Sequence, residues 1–135
     1  MSEHTLTVDI VTPRRVVYSG VADAVTLPGV KGAFQVLFNH APIVSALDLG
    51  VIKVLNNDGS ETCYATDGGF AEVLRNVISV AVETAEEASE IDLERLRKER
   101  AALAEQLERE QILSLRDELK NQLHRLDNRI RVAQM

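Results

Sequence analysis

Apolar and polar positions alternate from the start of the chain. Leu6, Val8 and Ile10 are separated by Thr7 and Asp9, the two-residue period of a half-buried strand, and Thr12-Pro13 stops it. Val16-Val17-Tyr18 predicts a second short strand closed by Ser19-Gly20. Residues 21–26 predict a third, with Val21, Asp23 and Val25 on one face, and Pro28-Gly29 is a strong turn signal. Three apolar runs follow, at 33–37, 43–49 and 51–55, interrupted at 38–42 and 48–50. Runs of that length with such punctuation read as buried strands, and Pro42, which has no N–H to give a ladder, belongs at a corner or an edge. Asn57-Asp58-Gly59 predicts a tight hairpin in which Asp58 and Gly59 both accept positive φ, returning through 60–66. Asp67-Gly68-Gly69 and Arg75-Asn76 are further turns, around strands at 70–74 and 77–82. About nine or ten strands at short intervals predict a β-sandwich over residues 1–86.

The period changes after Val82. Gly69 is the last glycine and Pro42 the last proline, and from Glu83 nearly every residue is a good helix former. Ser89 to Asp92 fits a loose capping box. Leu93, Leu96, Leu103 and Leu107 then form an apolar stripe interrupted by Arg100, and Ile112, Leu115, Leu119, Leu123, Leu126 and Ile130 form a second. One helix through both stripes would be ~60 Å long and would leave its stripe in water. Two helices are expected instead: an antiparallel hairpin over 87–135, with a turn near 110–113 and Ser114 capping the second helix. The first stripe is poor in large side chains, so the hairpin should hold to the sandwich by a few kcal/mol at most. A partner can reverse a hold of that size, since moving a 1:99 equilibrium to 99:1 takes about 5.5 kcal/mol.

Charge follows the same division. The 135 residues carry a formal net charge of −6. All of it lies in residues 1–88, with 5 Lys/Arg against 11 Asp/Glu, while residues 89–135 carry 10 of each. Neither part has the basic excess of a nucleic-acid binder. The single Cys63 excludes an intrachain disulfide, and no run approaches the ~18–20 apolar residues of a membrane span.

Catalytic chemistry finds little support. His4, His40 and His124 are scattered without metal-ligand spacing, so no metal site is predicted. Asp67-Gly68-Gly69 lacks the Lys-Ser/Thr and helix of a phosphate cradle, and Ser45 is not in a nucleophile elbow. Asp48, Asp67 and Glu72 read as solvated turn carboxylates, and His40-Ala41-Pro42 as a corner histidine bonded to local backbone. The cationic run Arg116, Lys120, Arg125, Arg129 and Arg131 reads either as a solvated face with pairs such as Asp127–Arg131, or as a surface for an anionic partner or a phosphate.

Several motifs in combination resemble a known family. Gly32-x-Phe34-x-Val36-Leu37-x-x-His40-Ala41-Pro42, Gly50-Val51-Ile52-Lys53-Val54 and Asp67-Gly68-Gly69-Phe70-Ala71-Glu72-Val73 are similar to the ε subunit of F-type ATP synthases. Ile91-Asp92-Leu93-Glu94-Arg95 and Asn128-Arg129-x-x-Val132-Ala133 extend the resemblance to the C-terminus. It implies a non-catalytic central-stalk subunit of a proton-translocating ATP synthase, peripheral on the cytoplasmic face of a bacterial plasma membrane. Its partners would be the gamma subunit, the c-subunit ring and the alpha/beta catalytic head. Lys31, Gly32, Ala33, His40, Ala41 and Pro42 would contact the rotor; Ala33 stands where many members carry an acid. Arg116, Lys120, Arg125 and Arg129 would meet the catalytic head when the helices extend and inhibit ATP hydrolysis. No cofactor is implied for all members, but some hold regulatory ATP through a motif that Asp92, Arg95, Arg125 and Arg129 match, with Leu96 in place of its alanine. The residues by themselves also allow a second reading, a free-standing scaffold whose helices form a homo-oligomeric coiled coil.

Overall fold

A computed structural model describes residues 4–135. Ten strands precede two helices: β1 Leu6–Val11, β2 Val16–Ala22, β3 Ala24–Gly29, β4 Gly32–Val36, β5 Ile43–Leu47, β6 Gly50–Leu55, β7 Glu61–Thr66, β8 Gly69–Leu74, β9 Val77–Val82 and β10 Ala85–Glu87, then α1 Leu93–Arg109 and α2 Leu113–Ala133. The strands follow the order β10-β7-β6-β3-β5-β8-β9-β1-β2, with β4 on the free side of β3. One layer is β10-β7-β6-β3-β4 and the other β5-β8-β9-β1-β2, joined where Gly29 of β3 meets Leu47 of β5. All pairs are antiparallel except β1–β9. The expected sandwich followed by two helices is what forms. Its core lies between the layers: Leu6, Val8, Ile10, Val25, Leu27, Val36, Ile52, Val54, Val73, Ile78 and Val80 are all at most 1% exposed.

Where strands differ from expectation, pairing has overridden local signals. Ser19-Gly20 does not end β2, because Asp9 and Val8 of β1 pair with these residues, and the Ser19 hydroxyl donates to Asp9 Oδ1 at 2.6 Å. The single strand expected at 21–26 is divided at Asp23, where the chain crosses from one layer to the other and the Asp23 N–H donates to Leu55 O at 2.8 Å. Ala22 and Ala24 are therefore both buried, and Val21 faces outward. Pro28-Gly29 is strand rather than turn. These residues pair with Ala33 and Gly32, and the reversal is the two-residue Val30-Lys31 tip. β5 is not buried on both faces, since Val44 is 71% exposed.

The turn residues explain the reversals. Asn57-Asp58-Gly59 makes a three-residue loop in which only Gly59 takes positive φ, with its N–H on Asn56 O at 3.0 Å. Arg75 and Asn76 both take positive φ and connect β8 to β9 in two residues. The Asn76 side-chain oxygen also accepts the Asn39 N–H at 2.6 Å, fixing the loop between β4 and β5. Gly69 has φ +156°, and a Cβ there would fall on the carbonyl of Ala81. Tyr64 is 4% exposed, and burial, then the Glu87 carboxylate, push its hydroxyl up to about 12.

In the C-terminal part, Asp92 itself caps α1, accepting the Arg95 N–H at 3.2 Å. Ser89 lies in a 3-10 turn at Ala88–Glu90 and makes no cap. The interhelix turn falls at 110–112 as expected, but α2 begins at Leu113 without a side-chain cap, so Ser114 does not serve as one. Asp127 pairs with Arg100 across the hairpin rather than with Arg131. The arginine that interrupts the first stripe thus ties the helices together.

Gly69→Ala should lower the unfolding free energy by about 3 kcal/mol in a denaturant titration, because the added methyl meets rigid backbone. Gly32→Ala, also at positive φ but with open space around it, should cost only about 1 kcal/mol. Equal losses at the two sites would contradict this account.

Candidate functional site

The helices lie on the outer face of β6 and β7. Ile91, Leu96, Leu126 and Val132 pack with Ala65 into a second apolar cluster, joined at its edge by Val51, Cys63, Leu103 and Ile130. Within this seam Asn128 is 5% exposed. Its Nδ2 donates to Gly50 O at 2.8 Å and Thr66 O at 3.5 Å, the paired residues that end the β6–β7 ladder. Its Oδ1 accepts from Arg131 at 2.7 Å. Every polar group of this amide is engaged, so the arm has a hydrogen-bonded register as well as an apolar contact. At the margin Arg129 pairs with Glu86 at 2.8 Å. Both side chains are about one-third exposed, which limits the pair to under about 1 kcal/mol. Cys63 sits half-buried beside Ala133 and Met135 at the end of α2. Burial first, then Glu61, push its thiol up, so it stays protonated at neutral pH.

Between the helices and the sandwich is a cleft of about 560 Å³. Arg15, Arg125 and Arg129 reach it together with Asp67, Glu86, Glu90 and Glu99, three guanidiniums among four carboxylates. Of the residues predicted for a nucleotide, the cleft gathers Arg125 and Arg129 but not Asp92 and Arg95. Asp92 is committed to the α1 cap, and Arg95 turns outward to Glu99 at 3.2 Å. Of those predicted for the catalytic head, Lys120 is exposed and Arg125 borders the cleft. Arg116 is turned back into the interhelix bend, where Nη1 donates to Leu107 O at 2.6 Å and Glu110 O at 2.8 Å.

Two further surfaces are open. Lys31, Gly32 and Ala33 are exposed at the β3–β4 tip, and His40, Ala41 and Pro42 follow the other end of β4. The segments do not touch but bound one edge: Lys31, Ala33, Gln35 and Leu37 are all exposed, alternating with the inward-facing Phe34 and Val36. His40 Nδ1 lies 2.7 Å from Ala41 O, a local backbone bond. The second surface is the outer face of the β5-β8-β9-β1-β2 layer. There Val44, Phe70, Leu74, Val77, Val16 and Val21 are between 41% and 71% exposed, on the layer opposite the one that the arm covers. Among the described residues no three His, Cys, Asp or Glu are grouped to hold a metal ion, and no helix is long and apolar enough to cross a membrane.

Sequence reasoning missed Asn128 and Glu86 as contacts. At 100° per residue Asn128 falls on the face of α2 opposite the Ile112–Ile130 stripe, where a polar residue is ordinarily solvated, so no local signal marked it. Nothing local marks Glu86, whose partner is 43 residues away.

Fold and site together define a two-module protein, a β-sandwich carrying its own docked helical hairpin. Residues 5–88 match the family model described as "ATP synthase, Delta/Epsilon chain, beta-sandwich domain". The chain is 38% identical over 136 residues to the ATP synthase epsilon chain of Syntrophomonas wolfei, covering 99% of this chain and 98% of that one. It is 37% identical over 133 residues to that of Staphylococcus aureus strain JH9, covering 98% of each. It superposes with TM-score 0.81 and 21% identity on a chain in the cryo-EM structure of the Euglena gracilis mitochondrial ATP synthase OSCP/F1/c-ring, covering 92% of this chain and 78% of that one. The chain belongs to the ATP synthase epsilon-chain family.

Asn128→Ala removes both side-chain hydrogen bonds from α2 to the sheet and leaves Arg131 without its acceptor, a loss of about 1–3 kcal/mol. Hydrogen exchange of α1 and α2 should quicken by roughly 10- to 100-fold at that cost, while the core strands keep their protection. Loss of protection in both modules by the same factor would show that the arm does not open on its own.

Proposed function

We propose that this chain is a non-catalytic central-stalk subunit of an F-type ATP synthase, held to the rotor by its sandwich and regulating ATP hydrolysis through its arm. The outer face of the β5-β8-β9-β1-β2 layer carries this reading. Val44, Phe70, Leu74 and Val77 surround the exposed Glu72 on a largely apolar surface that the chain itself leaves open. In this reading the gamma subunit covers that face. The exposed β4 edge, from Lys31–Ala33 to His40–Pro42, meets the c-subunit ring. The protein is then peripheral on the membrane surface that carries the catalytic head.

The arm supplies regulation because its cations have internal partners when docked. Arg129 holds Glu86, Arg116 holds the bend, and Arg125 borders a cleft with carboxylates. Undocking frees Arg116, Lys120, Arg125 and Arg129 to meet acidic surface on the alpha/beta head. A homo-oligomeric coiled coil is less well supported, since Leu96, Leu119, Leu123 and Leu126 are already buried within the chain.

A second reading places ATP in the cleft, supported by Arg125 and Arg129 side by side. Glu86 would have to release Arg129, and Asp92 and Arg95 would have to turn inward. Isothermal titration of the chain with ATP tests it: binding should be lost in Arg129→Ala, and absence of heat at millimolar ATP ends this reading.

For the main proposal, Phe70→Glu should abolish binding to purified gamma while changing the stability of the free chain by less than about 0.5 kcal/mol, as is usual for an exposed site. Deleting residues from Ser89 onward should preserve assembly and raise ATPase activity of the reconstituted complex. Normal assembly of Phe70→Glu, or loss of assembly on deleting the arm, would refute it.

A further inference from the structure

The bend between α1 and α2 carries no residue of the kind that ordinarily ends a helix. Glu110-Gln111-Ile112 contains neither glycine nor proline, and all three residues are tolerated in a helix. Glu110 and Ile112 are nonetheless extended, at φ/ψ of −79/128° and −80/120°. No glycine in left-handed conformation ends α1, and no side chain caps α2.

Two side chains make up for part of what the backbone lacks: Glu110 Oε1 accepts the Ile112 N–H at 3.1 Å, and Arg116 reaches the carbonyls. In a continuous helix Leu107 O would accept from the N–H of Gln111, and Glu110 O from that of Ser114. In the structure Leu107 O keeps only a long bond from the Glu110 N–H at 3.3 Å, and Arg116 Nη1 donates to both carbonyls, at 2.6 and 2.8 Å, and is half-buried in doing so. We propose that Arg116 is a latch: its guanidinium replaces the two helical donors, and without it residues 107–116 close into helix and the hairpin straightens into one rod over 93–133. This deepens the proposed regulatory arm by naming what keeps it bent.

The opposing force is also visible. At 100° per residue the Leu93–Leu107 stripe and the Ile112–Ile130 stripe lie about 130° apart on a continuous helix. A straight rod cannot lay both on one surface, whereas the hairpin packs them on each other and on β6–β7. Ile112 and Leu113 stay 58% and 76% exposed in the bent form, so the bend gains nothing from them. The hairpin therefore rests on docking, on the Arg100–Asp127 tie between the helices and on the latch, against a local preference for helix.

The test uses the full chain with spin labels at Glu94→Cys and Gln134→Cys in a Cys63→Ser background, so that pulsed dipolar spectroscopy reads the arm's shape. Packed antiparallel helices hold the labels within about 25 Å of each other, their axes being 8–10 Å apart. A rod separates them by about 60 Å. With the dock weakened by Asn128→Ala, adding Arg116→Ala should raise the long-distance population about 10-fold, the factor expected for losing hydrogen bonds from a charged donor. Arg116→Gln should do the same, which guards against a folding defect in one variant. Adding Gln111→Pro, which forbids the helix and suits the extended Glu110 before it, should abolish the long distance. Unchanged distances in both Arg116 variants, or a long distance that survives Gln111→Pro, would overturn the latch. The readout requires no ATPase, so it can fail while the regulatory role stands, and the reverse.

Discussion

A carboxamide at the end of a strand ladder fixes how the two modules of this chain meet. Asn128 and Thr66 are the buried polar residues among those described, and they belong to the same contact. Apolar packing of Leu126, Val132, Ile91 and Leu96 on Ala65 supplies attraction but little register, since such surfaces slide at small cost. The amide does not slide. It satisfies the carbonyls of Gly50 and Thr66 in one position of α2 only, and any shift buries unpaired polar groups. The arm is therefore held in one defined register on the ends of β6 and β7.

This arrangement uses the sandwich asymmetrically. One layer turns its outer face to the arm, the other leaves Val44, Phe70, Leu74 and Val77 open, and the β4 edge forms a third side. The core between the layers does not depend on any of these surfaces, because the inward residues alternate with the outward ones and are already closed off from water. Each of these three sides can be covered or opened without exposing the core. The short α2 C-terminus covers Cys63 in the same manner: a local contact, not part of the core.

Much of the fold was legible along the chain because its signals were local. Alternation marked β1, short apolar runs marked β5 and β6, and Asp-Gly, Gly-Gly and Arg-Asn marked reversals where positive φ is needed, setting off β8 and β9. The change in period after Val82 marked the helices. The misreadings fall where a partner strand decides: Ser19-Gly20 and Pro28-Gly29 look like turns but lie opposite β1 and β4. The candidate site was less legible. Arg116 was readable as a cation on a helix face, but its acceptors are carbonyls six and nine residues earlier. Arg100 was readable as a flaw in a stripe, and it is a cross-helix tie to Asp127.

The sequence by itself determined which segments are strand or helix, that the charge is divided between them, and which family motifs the chain carries, because propensity and periodicity act over a few residues. Only the tertiary structure decided that Asn128 pins the arm to the ends of β6 and β7, that Arg116 faces the bend rather than solvent, and that one layer shows an apolar face to water. The first depends on a donor and an acceptor 78 residues apart being brought to 2.8 Å of each other, and the second on a bend that lets α2 reach back to the end of α1. No local rule encodes which of several amides or guanidiniums will find such a partner; the packing of the layers chooses it.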